Sequence, residues 1–175
     1  DEVEETVKRV REEVERWKEE LKRIADEVRR LVEKVKDDLR RLLDESRKLV
    51  EEVRRENSRD DTVLKRVRDE VRKINEDSKR LLEEAKRRVE KIRREIKKRN
   101  DELEERARRI LRELDRRDAK SEIKRRLEEL LKELHKVSKD LDKILEELLR
   151  EVEEVVRRVN ETNKKLLKEL DETVR

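Results

Sequence analysis

The chain has 175 residues, 61% of them charged and 31% apolar, with no Gly, Pro, Cys, Met, Phe or Tyr and one tryptophan. Ordinary globular proteins carry roughly 25% charged residues, and a chain without cysteine has no disulfide framework, thiolate nucleophile or thiolate metal site. No apolar run exceeds two residues, so neither a transmembrane helix nor a signal peptide is expected, and the net charge of +4 is a small imbalance between 55 basic and 51 acidic groups.

The first predicted helix covers about 2–56. Its apolar residues, Val3, Val7, Val10, Val14, Trp17, Leu21, Ile24, Val28, Leu31 and Val35, step by four and three in alternation. That is an a/d heptad seam, one stripe that only other helices can bury. So regular a pattern argues against the disorder that this charge content would otherwise suggest. After one extra four-residue step the seam continues through Leu39, Leu42, Ser46, Leu49 and Val53. It breaks at Asn57-Ser58-Arg59-Asp60-Asp61, where Ser58, Asp60 and Asp61 are all candidate caps for the next helix.

The second predicted helix covers about 62–117. Its seam runs Val67, Val71, Ile74, Ser78, Leu81, Ala85, Val89, Ile92, Ile96, Asn100, Leu103, Ala107, Ile110 and Leu114. A short break at Asp118-Ala119-Lys120-Ser121 follows, with Asp118 or Ser121 as cap. The third helix, about 121–175, carries Ile123, Leu127, Leu130, Leu134, Val137, Leu141, Ile144, Leu148, Val152, Val155, Val159, Thr162, Leu166 and Leu170. A second row (Leu131, Leu145, Leu149, Val156, Leu167) widens its apolar face.

These elements predict an all-α fold in a single domain, 1–175. Three helices of about 55 residues, each roughly 80 Å long from the helix rise, are joined by loops too short for anything but antiparallel neighbours. The architecture is a long up-down-up three-helix bundle. Val67 to Leu114 takes 47 residues in 13 core steps, close to 3.6 per turn. A period of 3.5 winds helices left-handed and 3.67 right-handed, so these should be nearly straight. Net charge is −2, +8 and −1 on the three helices in turn, the complementary pattern by which flanking charges select partners.

Polar residues interrupt the seams at few places. Folding the chain at its two breaks sets Trp17 level with Asn100 and Ser138, with His135 one turn away. The same folding gathers Ser46, Asn75, Ser78, Asn160 and Asn163 near the other end. Buried polar groups are costly unless they satisfy one another. The misfits therefore read as two hydrogen-bonded polar core layers rather than as scattered tolerance.

Chemistry is harder to find. His135, Asn100 and Ser138 bring a Ser and a His together, but with no acid on that face. An unbroken helix also offers no free N–H groups for an oxyanion hole. No catalytic residue is expected. One histidine does not make a zinc site, and no metal or cofactor is expected either. Asn160-Glu161-Thr162 matches a glycosylation sequon but lies mid-helix. The basic runs Lys86-Arg87-Arg88 and Lys97-Lys98-Arg99 sit among acids without aromatics to stack on bases. They read as a solvated face, and no specific nucleic acid or membrane partner is expected.

The absent Gly, Pro and Met, the Glu/Lys/Arg surface, the three equal helices and the Asn/Ser/His/Trp layers together resemble de novo designed helical bundles. That family is built on parametric backbones with buried hydrogen-bond networks, and the likeness covers all 175 residues. It departs from the family in loops that lack Gly and Pro. The resemblance implies a hyperstable, inert, monomeric scaffold with no natural function or location, soluble and cytoplasmic in a recombinant host. The alternative is a designed helix-pairing module, taking a partner helix or a second copy on Val32, Leu43, Val50, Leu145, Leu149 and Val156.

Overall fold

The computed structural model describes residues 2–117 and 121–174. The chain forms three helices, α1 (Glu2–Arg55), α2 (Asp61–Arg116) and α3 (Ser121–Val174). They pack as a three-helix bundle. α1 ends one residue before the expected 56, while α2 starts and ends one residue earlier than expected, at 61 and 116.

The charges at the ends of α1 suit its dipole: Glu2, Glu4 and Glu5 lie in the first turn, Arg54 and Arg55 in the last. The α1–α2 turn shows how a chain without glycine stops a helix. Asn57 adopts φ 50, the left-handed conformation that asparagine tolerates better than other residues with a Cβ. Ser58 N then donates to Val53 O and Asn57 N to Arg54 O, both at 3.2 Å, which is a Schellman closure. Of the three candidate caps, Asp60 takes the role. Its Oδ1 accepts from Thr62 N at 2.9 Å and its carbonyl from Leu64 N at 3.0 Å. The cap expected at Asp118 or on the Ser121 side chain lies outside the described residues.

Contacts divide the chain into two compact units, Asp1–Val28 with Val89–Glu146 and Arg29–Arg88 with Glu147–Arg175. Each contains a segment of every helix. In the first unit Trp17 bonds Asn100 and Glu13 pairs with Arg106, so α1 and α2 run antiparallel. Its core includes Val10, Val14, Leu21, Val28, Leu103, Leu127 and Leu134. In the second unit Lys36 pairs with Glu151 and Arg54 with Glu169, a parallel arrangement of α1 and α3. Arg68–Asp171 and Lys86–Glu153 set α2 antiparallel to α3 there. Near the turn its core gathers Val50, Val53, Leu64, Val67, Val71 and Leu170.

The buried stripe departs from the expected seam. Ala25, Val32, Val50 and Asn163 are buried, whereas the seam residues beside them, Ile24, Leu31, Leu49 and Thr162, are only half-buried. A straight helix drifts about 20° per heptad against a 3.5-residue repeat. The drift carries the following residue inward: an apolar neighbour at Ala25, Val32 and Val50, and Asn163 in place of Thr162.

Candidate functional site

The first polar layer is built by one residue from each helix. Trp17 on α1 donates its indole N–H to Asn100 Oδ1 on α2 at 2.6 Å. Asn100 donates through Nδ2 to Ser138 Oγ on α3 at 2.8 Å. All three are half-buried. Trp17 and Ser138 thus use the two ends of a single amide, so that the polar groups of three helices satisfy one another at this level.

His135 does not enter this layer. It is exposed, a correction to its expected place in the core. The core stripe of α3 passes through Leu134, and His135, about 100° round the helix, lies on the flank toward α2. There it lines two open grooves of about 540 and 680 Å³ between α2 and α3, both also lined by Asn100, Glu104 and Ser138. The Glu104 carboxylate at their edge accepts from Arg108 of its own helix.

The second group is more deeply buried and less completely bonded. Ser46, Ser78 and Asn163 are all 0% exposed, and Asn75 and Asn160 are half-buried. Asn163 donates through Nδ2 to Asn75 Oδ1 at 2.6 Å, joining α3 to α2. Ser78 turns back on its own helix and donates to the Asn75 carbonyl at 2.8 Å. Ser46 Oγ, Asn160 Oδ1 and Asn163 Oδ1 have no partner among the described residues. The expectation of a mutually satisfied network is therefore corrected here. Serine in a helix has a carbonyl of the preceding turn within reach, and Ser78 takes that bond in preference to one across the interface.

Sequence reasoning missed the interhelical ion pairs that flank the seams. Lys18–Glu133 (2.8 Å), Lys36–Glu151 (3.2 Å) and Arg54–Glu169 (3.1 Å) link α1 to α3. The signal was available: each partner recurs every 18 residues, five turns of a 3.6-residue helix. Lys36 keeps only 11% of its side chain exposed. Burial opposes its charge, but hydrogen bonds to Glu151 and Glu33 outweigh that and hold its pKa above the ordinary lysine value. Glu133 bonding raises the pKa of Lys18, and Lys18 in turn lowers that of the exposed Glu133. On the α2–α3 side Arg93 reaches Asp142 with Nε at 2.7 Å and Nη2 at 3.0 Å, a bidentate pair, and extends to Glu146 at 3.3 Å.

The basic run at Lys86 is engaged by Glu83 and Glu153, and Arg99 of the second run by Glu102. The sequon residues Asn160 and Thr162 are half-buried within α3. Among the described residues no three His, Cys, Asp or Glu side chains are grouped to hold a metal ion. Among the described residues no helix is long and apolar enough to cross a membrane.

The fold has a counterpart among solved structures. A chain described as a computationally designed three helix bundle matches at TM-score 0.55 and 20% identity, over 99% of this chain and 88% of that one. No protein-family description and no curated protein matches the sequence.

Proposed function

We propose that the protein is a designed scaffold, a self-contained three-helix bundle with no natural biochemical activity, whose polar core residues select how its helices pack. The observation that carries this reading is the fate of its apolar side chains. Among the described residues no large hydrophobic side chain is exposed. Association through helix faces needs an apolar patch, typically the centre of a recognition groove. Of the six residues assigned to such a patch, Val32, Val50, Leu145 and Val156 are buried, and Leu43 and Leu149 are half-buried. The bundle's own core uses the surface that a partner helix would need.

Two further observations support the scaffold. The Trp17–Asn100–Ser138 chain satisfies its polar groups by bonds between the bundle's own helices. The fold is shared with a designed three-helix bundle, while no natural family matches.

Light scattering across a wide concentration range tests the reading. A mass constant at 21.7 kDa is the expected result, with no unfolding transition below about 90 °C. A mass that doubles with concentration would transfer the assignment to the helix-pairing module.

A further inference from the structure

The strongest unexplained feature of the molecule is the cluster of unpartnered polar atoms in the second unit: Ser46 Oγ, Asn160 Oδ1 and Asn163 Oδ1. Two of them, Asn160 and Asn163, lie about one turn apart on α3. Asn163 bonds Asn75, and Ser78 is three residues beyond Asn75 while Asn160 is three before Asn163. The antiparallel register therefore sets Ser78 opposite Asn160. On the parallel side Lys36 pairs with Glu151. Ten residues further along both helices that offset sets Ser46 opposite 161, and the offset of Trp17 to Ser138 through Asn100 sets it opposite 167, so Ser46 comes within about a turn of Asn163.

Neighbouring donors do not relieve these atoms. The Ser78 hydroxyl hydrogen goes to the Asn75 carbonyl, and the Asn163 amide contributes its N–H to Asn75 Oδ1. Each buried oxygen left without a donor is disfavoured, and all three belong to this one unit. Two are amide oxygens, which only accept, and one is a hydroxyl, which does both. That set matches a molecule with two protons to give and a lone pair to receive. Serine where the neighbouring α1 seam positions carry Val or Leu is also smaller than those side chains by at least a water's share of liquid volume, about 30 Å³.

We propose that this layer is a water-binding site: an internal water donates to Asn160 Oδ1 and Asn163 Oδ1 and accepts from the Ser46 hydroxyl. It makes three bonds, the usual number for a buried water. The two polar layers then differ in kind. The Trp17 layer closes by direct side-chain bonds, and the Ser46 layer closes through solvent.

Rotating-frame water–protein NMR on the intact chain tests this. Cross-peaks to long-lived water are expected at the Asn160 and Asn163 side-chain amides and not at the Trp17 indole N–H. The S46V variant should lose them while the Trp17 resonance stays in place, which shows that the fold is kept. A high-resolution crystal structure provides a second measurement, independent of any variant. Density for a water within hydrogen-bond distance of both amide oxygens supports the site. No long-lived water, with Ser46 Oγ turned onto the Leu42 carbonyl, overturns it. The association state of the protein bears on neither result.

Discussion

Trp17 and Asn100, 83 residues apart in the chain, are joined by a 2.6 Å hydrogen bond that also decides which way the amide faces. Indole can only donate, so the atom it meets must be Oδ1, and the N–H pair must point onward, where it finds Ser138. Asn75 and Asn163 pair amide with amide, and here the bond runs from Asn163 Nδ2 to Asn75 Oδ1. The direction of the first layer is set by its indole; that of the second is set by the surroundings of its amides.

Substitution of Asn100 by Leu strands both of its neighbours. Trp17 keeps a half-buried N–H without an acceptor and Ser138 loses its donor, at an expected cost of about 1–3 kcal/mol. Urea unfolding followed by the emission of Trp17, the single aromatic residue, measures this directly. A loss below about 0.5 kcal/mol would mean that solvent satisfies the layer as well as Asn100 does.

The α1–α2 turn predicts opposite responses at neighbouring positions. Asn57→Gly removes a Cβ from a left-handed residue and should stabilise the protein by up to about 1 kcal/mol, whereas Asn57→Val should cost about 1–2 kcal/mol. Asp60→Ala removes the acceptor for Thr62 N and should cost about 0.5–2 kcal/mol. Urea midpoints of the three variants check the signs. If Asn57→Gly is destabilising, the left-handed closure is not what ends α1.

The ion pairs predict where stability changes with pH. Lys18 and Lys36 have folded pKa values above 10.5. Their contribution is complete below pH 10.5 and fades as pH climbs through those raised values. Glu133 lies below 4.5, so its contribution holds above pH 4.5 and fades as pH falls through the lowered value. Stability should be level between these limits and drop beyond each. Lys36→Met should flatten the alkaline drop and Glu133→Gln the acid one, as read from urea midpoints against pH. Glu133 is 59% exposed, so added salt should shrink its part. An alkaline limb unchanged in Lys36→Met would remove this account.

How much of this could be read from residues alone divides along one geometric line. Position along the axis is arithmetic: each residue advances a helix by 1.5 Å, and the loops are short. Counting therefore sets Trp17, Asn100 and Ser138 at one level, as it does Asn75 with Asn163. Position around the axis is less forgiving, because one residue turns the helix by about 100°. The choices between Ile24 and Ala25, Leu31 and Val32, or Thr162 and Asn163 all depend on accumulated drift. The same angle puts His135 outside the core and Lys36 at its edge. Hydrogen bonding needs finer placement still. Nothing in the residue order distinguishes Ser138, which accepts from another helix, from Ser78, which bonds its own.

The two polar layers lead to a prediction about specificity that a single substitution cannot reach. Suppose Ser46, Asn75, Ser78, Asn100, Asn160 and Asn163 were all replaced by apolar residues of similar size, together with Ser138→Ala and Trp17→Phe. Every buried donor then leaves with its acceptor, so the cost of stranded groups disappears. Each bond lost contributed only about 0.5–1.5 kcal/mol net, and added apolar burial offsets that at about 25 cal/mol per Å². The variant should resist guanidinium at least as well as the parent. What it should lose is uniqueness. Three apolar stripes of nearly equal period can slip by a heptad, and a buried asparagine opposes such a slip because it would be left unpaired. The expected result is mixed oligomers on size-exclusion chromatography or poorly dispersed NMR spectra, at undiminished stability. A single monomeric species with well-dispersed spectra would assign the choice of register to the flanking ion pairs, the ladder from Lys18–Glu133 to Arg54–Glu169, and not to the core.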